Sequence, residues 1–325
     1  MDMNFASFVE VYFEDKAPRL KDRSIMTKRT LFEPQIIPYF GEKQMNEITA
    51  VDIIKWQNAL MNQDYKPMYL RMIQNQITAL FNHAEMFYDL KDNPCKKVDK
   101  MGRPNAKELN FWTKDEYEQF IQGFSPDEEM YRIIFQMLFW LGCRVGELLA
   151  LTSEDIDFEN GIVNISKTHY RRNQTDYITP LKTESSNRKI TIPKFLAEEM
   201  KDFVDRQYGL TPEDRIFPIT DRAIQKKMKQ KTEQAKLKPI RVHDLRHSHI
   251  ALLIEKGMQP LVIAQRVGHD SVNTTMNIYG HLYPNKQKQV ADLLNAEATG
   301  EPERNLVDMA TEMRFRKAGG WSSEW

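Results

Sequence analysis

Histidine and arginine side chains are concentrated near the C-terminal end of the sequence, where they could act together on a phosphate. Five of the seven histidines lie between His243 and His281. In the string Val242-His-Asp-Leu-Arg-His247, His243 and Arg246 are three residues apart and would share one face of a helix. A guanidinium donates two parallel hydrogen bonds to phosphate oxygens, and an imidazole exchanges protons near neutral pH. The string therefore indicates a phosphate site.

The motifs of this region resemble those of the tyrosine recombinase, or phage integrase, family. His243-x-x-Arg246 is followed by Gly-His269 and then by Tyr279, in the order and at the spacing of the family signature. The resemblance covers roughly residues 1–297. It implies a site-specific DNA recombinase that works without metal, ATP or another cofactor.

Two upstream motifs extend the resemblance. The string Leu-Gly-Cys-Arg144-Val-Gly-Glu147 is similar to the first arginine motif of the family, which places Arg144 in the site. The segment 179–190 resembles the lysine-bearing β-turn of the family, which places Lys182 there. We interpret Glu147 as a supporting residue rather than a catalyst.

The resemblance implies a role for each side chain. Arg144 and Arg246 would hold the non-bridging oxygens of the scissile phosphate, and His269 would donate a further hydrogen bond. Tyr279 would attack phosphorus, with His243 as the acceptor of its proton. The transition state would thus meet preorganised positive charge.

Lys182 would act as the general acid that protonates the departing 5′ oxygen. The products implied are a 3′-phosphotyrosyl link and a free 5′ hydroxyl, and the hydroxyl of a second strand reverses the step. Tyr283 is a rival nucleophile only four residues further on. We prefer Tyr279 because it lies at the family's distance beyond His269 and precedes His281.

The charge distribution favours DNA as the partner, although the net charge is zero. Residues 161–246 contain 19 Lys and Arg against 11 Asp and Glu, whereas residues 104–160 contain 4 against 12. Basic residues clustered on one part of a protein bind phosphates. The predicted contacts to the DNA backbone are Lys226, Lys227, Lys229, Lys231 and Arg241.

Apolar periodicity predicts a mainly α fold with a small antiparallel β-sheet. Residues 4–90 read as four helices of a small core-binding domain, which the resemblance makes SAM-like. Three alternating runs, 161–167, 177–179 and 188–192, predict a three-stranded antiparallel sheet in an α+β catalytic domain. The long apolar stretch 130–151 is interrupted by charges and predicts a buried core helix rather than a membrane span.

These patterns divide the chain into domains. Residues 1–90 would form the helical domain, 91–104 a charged linker, 105–297 the catalytic domain and 298–325 a C-terminal tail. Members of the family act as tetramers on DNA and commonly pass a C-terminal segment to a neighbour. The resemblance therefore suggests a homotetramer, with the tail docking in trans and the two domains closing on the duplex as a clamp.

Other features of the sequence point to a cytoplasmic protein. No signal peptide is evident, and the two cysteines, Cys95 and Cys143, are far apart without metal-ligand spacing. Many members of the family carry a small arm-binding domain before the core-binding domain, at which this sequence starts. The resemblance also allows for an excisionase or a DNA-bending accessory protein.

Four alternatives remain open at this point. A zinc hydrolase could use His243 and His247 at the helical metal-pair spacing, with His269 as a third ligand, although the intervening Arg246 would repel a metal. The other three are a DNA-binding regulator without catalysis, a type IB topoisomerase and a recombinase that resolves chromosome or plasmid dimers.

Overall fold

The protein folds into two units, Met1–Glu108 and Leu109–Trp325. The computed structural model describes residues 2–20, 22–102, 109–181, 183–283 and 287–299. Lys182 and the predicted tail from residue 300 onward lie outside the described residues. The two units are considered separately below.

The N-terminal unit is helical, as predicted, and its helices begin where the sequence supplies caps. Asn4 accepts a hydrogen bond from the Ser7 amide at the start of the first helix. Thr49 and Asp52 form a reciprocal capping box at the start of the fourth. The helices are α1 (Phe5–Lys16), α2 (Asp22–Gln35), α3 (Ile37–Phe40), α4 (Ala50–Met61) and α5 (Pro67–Phe87).

The core of this unit is built from aromatic side chains that recur at helical spacing. Phe5 packs against Phe40 and Phe81, with ring centroids 5.6 and 6.0 Å apart. Trp56 is buried and donates its indole N–H to the Gln35 carbonyl at 2.8 Å. Burial of such rings supplies the main stabilisation of a small helical domain.

The segment predicted to be a linker instead packs on the N-terminal core. Residues Pro94–Lys96 form a 3₁₀ turn, and Cys95 and Met101 are buried in the same cluster as the helices. Asn93 fixes the turn by accepting from the Cys95 amide at 3.0 Å. Cys95 and Met101 thus belong to the N-terminal core although they lie beyond the boundary predicted at residue 91. The charged residues face solvent while the few apolar ones are buried.

The second unit combines helices with two small sheets. Its helices are α6 (Lys114–Ile121), α7 (Glu129–Leu141), α8 (Val145–Leu148), α9 (Lys194–Asp205), α10 (Asp221–Gln234), α11 (Asp244–Glu255), α12 (Pro260–Val267), α13 (Val272–Tyr279) and α14 (Gln287–Thr299). Its strands are β1 (Ile156–Asp157), β2 (Ile162–Ile165), β3 (Lys167–Arg172), β4 (Thr175–Pro180) and β5 (Arg188–Thr191).

The β region is antiparallel, but its pairing differs from the prediction. Strands β1, β2 and β5 form the three-stranded sheet, whereas β4 pairs with β3 in a separate hairpin. Asn173 and Gln174 both have positive φ, as in the tight two-residue turns that match strand twist. Since this turn joins β3 directly to β4, local pairing takes that strand away from the predicted sheet.

The predicted core helix ends earlier than its apolar pattern. Helix α7 is buried along most of its length, but Gly142 adopts a left-handed conformation with φ of 65° and ends it. The chain then starts α8 in a new direction, which brings Arg144 to a helix start. No helix among the described residues is long and apolar enough to span a bilayer.

Candidate active site

The first predicted arginine lies at the turn between α7 and α8. Arg144 is the N-cap residue of α8, and its guanidinium donates to the Glu147 carboxylate at 2.7 Å and to the Gly268 carbonyl at 3.4 Å. Its side chain remains 41% exposed. The hydrogen bonds to Glu147 and Gly268 therefore fix the Arg144 guanidinium, while its exposed part can reach a ligand.

Glu147 connects two arginines. Its side chain is 1% exposed, and Arg188 donates to its second oxygen at 2.8 Å. Burial by itself would raise the pKa of Glu147, but the hydrogen bonds and positive charges of Arg188 and Arg144 outweigh it and leave the pKa below its usual value. Glu147 is thus a buried anion, which agrees with the supporting role interpreted from the sequence.

Arg188 joins three segments of the site, and the sequence reasoning did not single it out. Besides Glu147, it donates to the carbonyls of Arg266 and Ser186, both at 2.9 Å. Gly268 leaves room for it, because a Cβ there would lie 2.9 Å from a guanidinium nitrogen of Arg188. The sequence did contain a signal for Arg188, because this residue belongs to the motif string 179–190 that contains Lys182.

Arg246 is buried on helix α11 with unused hydrogen-bonding capacity. It is 3% exposed and donates one guanidinium nitrogen to the Gly142 carbonyl at 2.8 Å. The other terminal nitrogen is buried without a partner. Burial, and then the charge of Arg144, lower the pKa of Arg246 to about 9. A bound anion would stabilise this arrangement, because it would accept a hydrogen bond from the unpartnered nitrogen of Arg246 and offset the nearby positive charge.

Tyr279 ends helix α13 and points its hydroxyl at helix α11. The side chain is 1% exposed, and its hydroxyl is hydrogen-bonded to Nδ1 of His247. Burial raises the pKa of this phenol, while the charge of Arg246 acts in the opposite direction. The predicted nucleophile therefore lies within the field of a predicted arginine. The sequence had suggested its partner, His247, only as a possible metal ligand.

The two predicted histidines differ in their surroundings. His243 is the exposed N-cap of α11, and its ring centre lies 5.3 Å from that of His247. His269 bonds through Nδ1 to the buried Thr275 hydroxyl at 2.9 Å, which leaves Nε2 as the remaining ring nitrogen. Burial, and then Arg246 and Arg144, lower the pKa of His269 to about 4.

The residues that follow the predicted lysine contact the His269 segment. Lys182 itself lies outside the described residues. Thr183 and Ser185 both donate to the Asp270 carboxylate, at 2.8 and 2.5 Å. The two hydroxyls therefore tie the lysine-bearing turn to the residue next to His269.

The predicted DNA contacts on helix α10 separate into two groups. Lys226 and Lys229 are exposed, whereas Lys231 is 7% exposed. Lys231 pairs with Glu128 and donates to the Gly123 carbonyl at 2.8 Å, and Lys227 also pairs with Glu128. Lys227 and Lys231 thus both pair with Glu128, which directly precedes α7, and they are less accessible to DNA than Lys226 and Lys229.

Arg241 remains on the surface beside the site. It donates to the buried Asp244 carboxylate at 2.6 Å, and its side chain is 64% exposed. His249, by contrast, is fully enclosed and accepts a hydrogen bond from Arg266 at 3.1 Å. Among the described residues, no three His, Cys, Asp or Glu side chains converge as metal ligands.

Comparisons of sequence identify the family. Residues 110–286 match the phage integrase family, and residues 4–61 match the N-terminal SAM-like domain of phage integrases. The ICEBs1 integrase of Bacillus subtilis is 30% identical over 306 residues, which span 90% of this chain and 83% of that protein. The chain therefore belongs to the phage integrase family, whose members are tyrosine recombinases that transfer DNA strands.

Solved structures confirm the predicted fold class. The Tn1549 transposon integrase, in complex with a circular intermediate DNA, superimposes with a TM-score of 0.75 at 18% identity and covers 91% of this chain and 99% of its own. A lambda integrase tetramer bound to a Holliday junction gives 0.65 at 16% identity, over 88% and 79% of the two chains. The helical SAM-like domain and the catalytic domain are those predicted.

A prediction follows from the buried ion pairs of Glu147. Replacing it in Glu147→Gln should lower the free energy of unfolding at pH 7 by about 2–3 kcal/mol, since two arginines lose their counter-charge. The folded pKa of Glu147 is depressed, so its stabilisation is complete above the unfolded value near 4.5 and is lost as the pH falls through the folded value. Urea unfolding of both proteins from pH 3 to pH 7 measures this. The prediction is wrong if the difference in unfolding free energy between the two proteins stays constant down to pH 3.

The two groups of α10 lysines yield a second prediction. Lys231→Ala should destabilise the protein by on the order of 2 kcal/mol, because Glu128 and the Gly123 carbonyl lose a buried partner, and should leave DNA affinity unchanged. Lys226→Ala is the matched control. It should keep stability within about 0.5 kcal/mol and reduce the salt dependence of DNA binding. Thermal unfolding and salt titrations of binding measure the two effects. The reverse result would show that Lys231 faces DNA.

Proposed function

We propose that this chain cuts and rejoins double-stranded DNA through a covalent link between Tyr279 and a 3′ phosphate, and that it does so at the attachment sites of a mobile element. The observation that carries the proposal is the buried Arg246 with one unpartnered guanidinium nitrogen, close enough for its charge to act on the Tyr279 hydroxyl. A nucleophile beside an unfilled anion site fits attack on a phosphodiester.

The surrounding side chains supply the rest of the reaction. Arg144 and Arg246 would bind the non-bridging oxygens, and Nε2 of His269 would donate to the same phosphate. His243, exposed at the start of α11, would contact the phosphate from the open side. Since these donors are fixed by Glu147, Gly142 and Thr275, they need little reorganisation as charge develops in the transition state.

Assembly and partners are proposed from the relatives. Lambda integrase has been solved as a tetramer on a Holliday junction, which supports a homotetramer as the state in which strands are exchanged. The ICEBs1 integrase supports a mobile element as the source of the DNA. Lys226, Lys229 and Arg241 are proposed contacts to the phosphate backbone, and an excisionase or DNA-bending protein would set the direction of recombination.

The nucleophile is tested by two conservative substitutions. Tyr279→Phe removes only the phenolic oxygen, so DNA binding should persist while covalent capture of a nicked suicide substrate disappears on a denaturing gel. Loss of the hydrogen bond to His247 should alter stability by only about 1 kcal/mol. Tyr283→Phe is the control and should capture DNA normally. A covalent band that persists in Tyr279→Phe and vanishes in Tyr283→Phe would overturn the assignment.

The general acid is tested by the leaving group. Lys182→Ala should slow cleavage by about 100-fold or more, and a substrate with sulfur at the 5′-bridging position should restore the rate because a thiolate leaves without a proton. Lys189→Ala, an exposed lysine of β5 in the same motif, should cleave both substrates normally. Lys182 is not the acid if the sulfur substrate fails to rescue the variant.

A further inference from the structure

Helix α11 places one histidine in direct contact with the nucleophile. His247 follows Arg246 in the chain, and its Nδ1 is hydrogen-bonded to the Tyr279 hydroxyl. The family resemblance implies His243 as the proton acceptor. Yet His243 is the N-cap of the helix and is exposed, whereas His247 meets the phenol inside the protein. The hydrogen bond to Tyr279 therefore favours His247 over His243 as the proton acceptor.

A carboxylate lies on the far side of the His247 ring. Asp244, one turn earlier on α11, places an oxygen 3.7 Å from Nε2 of His247. Asp244 is 2% exposed and is fixed by the backbone amide of Arg241 at 2.8 Å and by its guanidinium at 2.6 Å. A carboxylate in this position favours the tautomer that carries its proton on Nε2, which leaves Nδ1 as a lone-pair acceptor. It would also stabilise the imidazolium that forms.

We propose that His247 is a catalytic residue that takes the phenol proton of Tyr279, with Asp244 as the positioning residue that orients its ring. This proposal rests on the proposed function of Tyr279 as nucleophile. In the forward step, the Tyr279 oxygen forms a bond to phosphorus and the phenol proton passes to Nδ1 of His247. The bond from phosphorus to the 5′ oxygen breaks, and this oxygen leaves as a hydroxyl with the proton of the general acid proposed above. In the reverse step, a 5′ hydroxyl attacks phosphorus and returns its proton to that acid, while the phenolate leaves phosphorus and regains its proton from Nδ1 of His247.

The surroundings of His247 keep its imidazole unprotonated before attack. Burial, and then the neighbouring His243, lower its pKa to about 4, against which the Asp244 charge acts; Arg241 and Arg246 lower it further. The imidazole is therefore neutral at pH 7. Burial meanwhile raises the pKa of Tyr279, so that the phenol stays protonated and needs an acceptor at the moment of attack.

The test uses His247→Asn in the full chain, because an asparagine amide can occupy the position of Nδ1 and keep a hydrogen bond but cannot take a proton at pH 7. Single-turnover cleavage of the nicked suicide substrate should fall by about 100-fold with DNA affinity unchanged. Added imidazole should recover part of the rate in His247→Ala, where the side chain leaves space. His243→Ala should gain nothing from imidazole.

A second measurement separates proton transfer from a structural role. A fluorinated tyrosine incorporated at position 279 has a lower phenol pKa and should restore much of the rate in His247→Asn, while changing the rate of the otherwise unmodified protein little. The proposal is overturned if His247→Asn cleaves at the normal rate, or if neither imidazole nor the fluorinated tyrosine rescues the His247 variants.

Covalent capture of DNA by the unmodified protein distinguishes a failure of the proposed function of Tyr279 from a failure of the inference about His247. If it forms no covalent complex with DNA, the proposed function of Tyr279 fails and the role of His247 fails with it. If it captures DNA and the His247 variants do so equally fast, only the inference about His247 fails. Recovery of His243→Ala by imidazole would transfer the role of proton acceptor to that residue and also overturn the inference.

Discussion

The buried carboxylate of Glu147 is the constraint on which the site depends. It accepts hydrogen bonds from two arginines that come from different parts of the chain, Arg144 before helix α8 and Arg188 at the start of β5. Arg188 in turn binds the carbonyl of Arg266, near the end of helix α12. A single buried anion therefore fixes the first arginine motif, the β region and the segment that leads to His269. Without Glu147, the first arginine motif and the β region would each carry an uncompensated charge.

The site holds more positive charge than Glu147 can neutralise. Burial, together with the charges of Arg144 and Arg188, lowers the pKa of Arg246 to about 9. A phosphodiester would supply the missing negative charge and a partner for the orphaned guanidinium nitrogen of Arg246. Binding of DNA would thus relieve an electrostatic cost of folding, and the additional charge of a pentacoordinate transition state would relieve it further.

The sequence predicted those parts of the structure that depend on local pattern. Helical periodicity predicted the helical character of residues 4–90, although five α-helices form among the described residues of this range where four were predicted. The motif spacing pointed to Arg246 and Tyr279, which the fold brings within electrostatic reach. The pairing of the β-strands was harder to predict. The hairpin of β3 and β4 depends on a turn in which Asn173 and Gln174 take positive φ. Asparagine commonly adopts this conformation but glutamine does not, so the pair is a weak signal for the turn.

The directions of individual side chains also could not be predicted from the sequence pattern. Lys231 lies in a lysine-rich stretch that is typical of a solvated helix face. Its side chain nevertheless turns inward and pairs with Glu128, more than 100 positions away along the chain. His247 shares its motif with His243, and only the packing of α13 against α11 shows which of them meets Tyr279. Spacing along a helix defines which residues share a face. It does not define which element that face meets.

The central claim is that Tyr279 becomes covalently bonded to DNA. The most direct measurement is fragment-ion mass spectrometry of trypsin-digested covalent complex, in which Val267–Lys286 is the expected peptide because it follows Arg266 and ends at the next basic cleavage site. This peptide contains both Tyr279 and Tyr283, so the fragment ions distinguish them. We expect a nucleotide joined through its 3′ phosphate to Tyr279. A nucleotide on Tyr283, or on a residue of any other peptide, would contradict it.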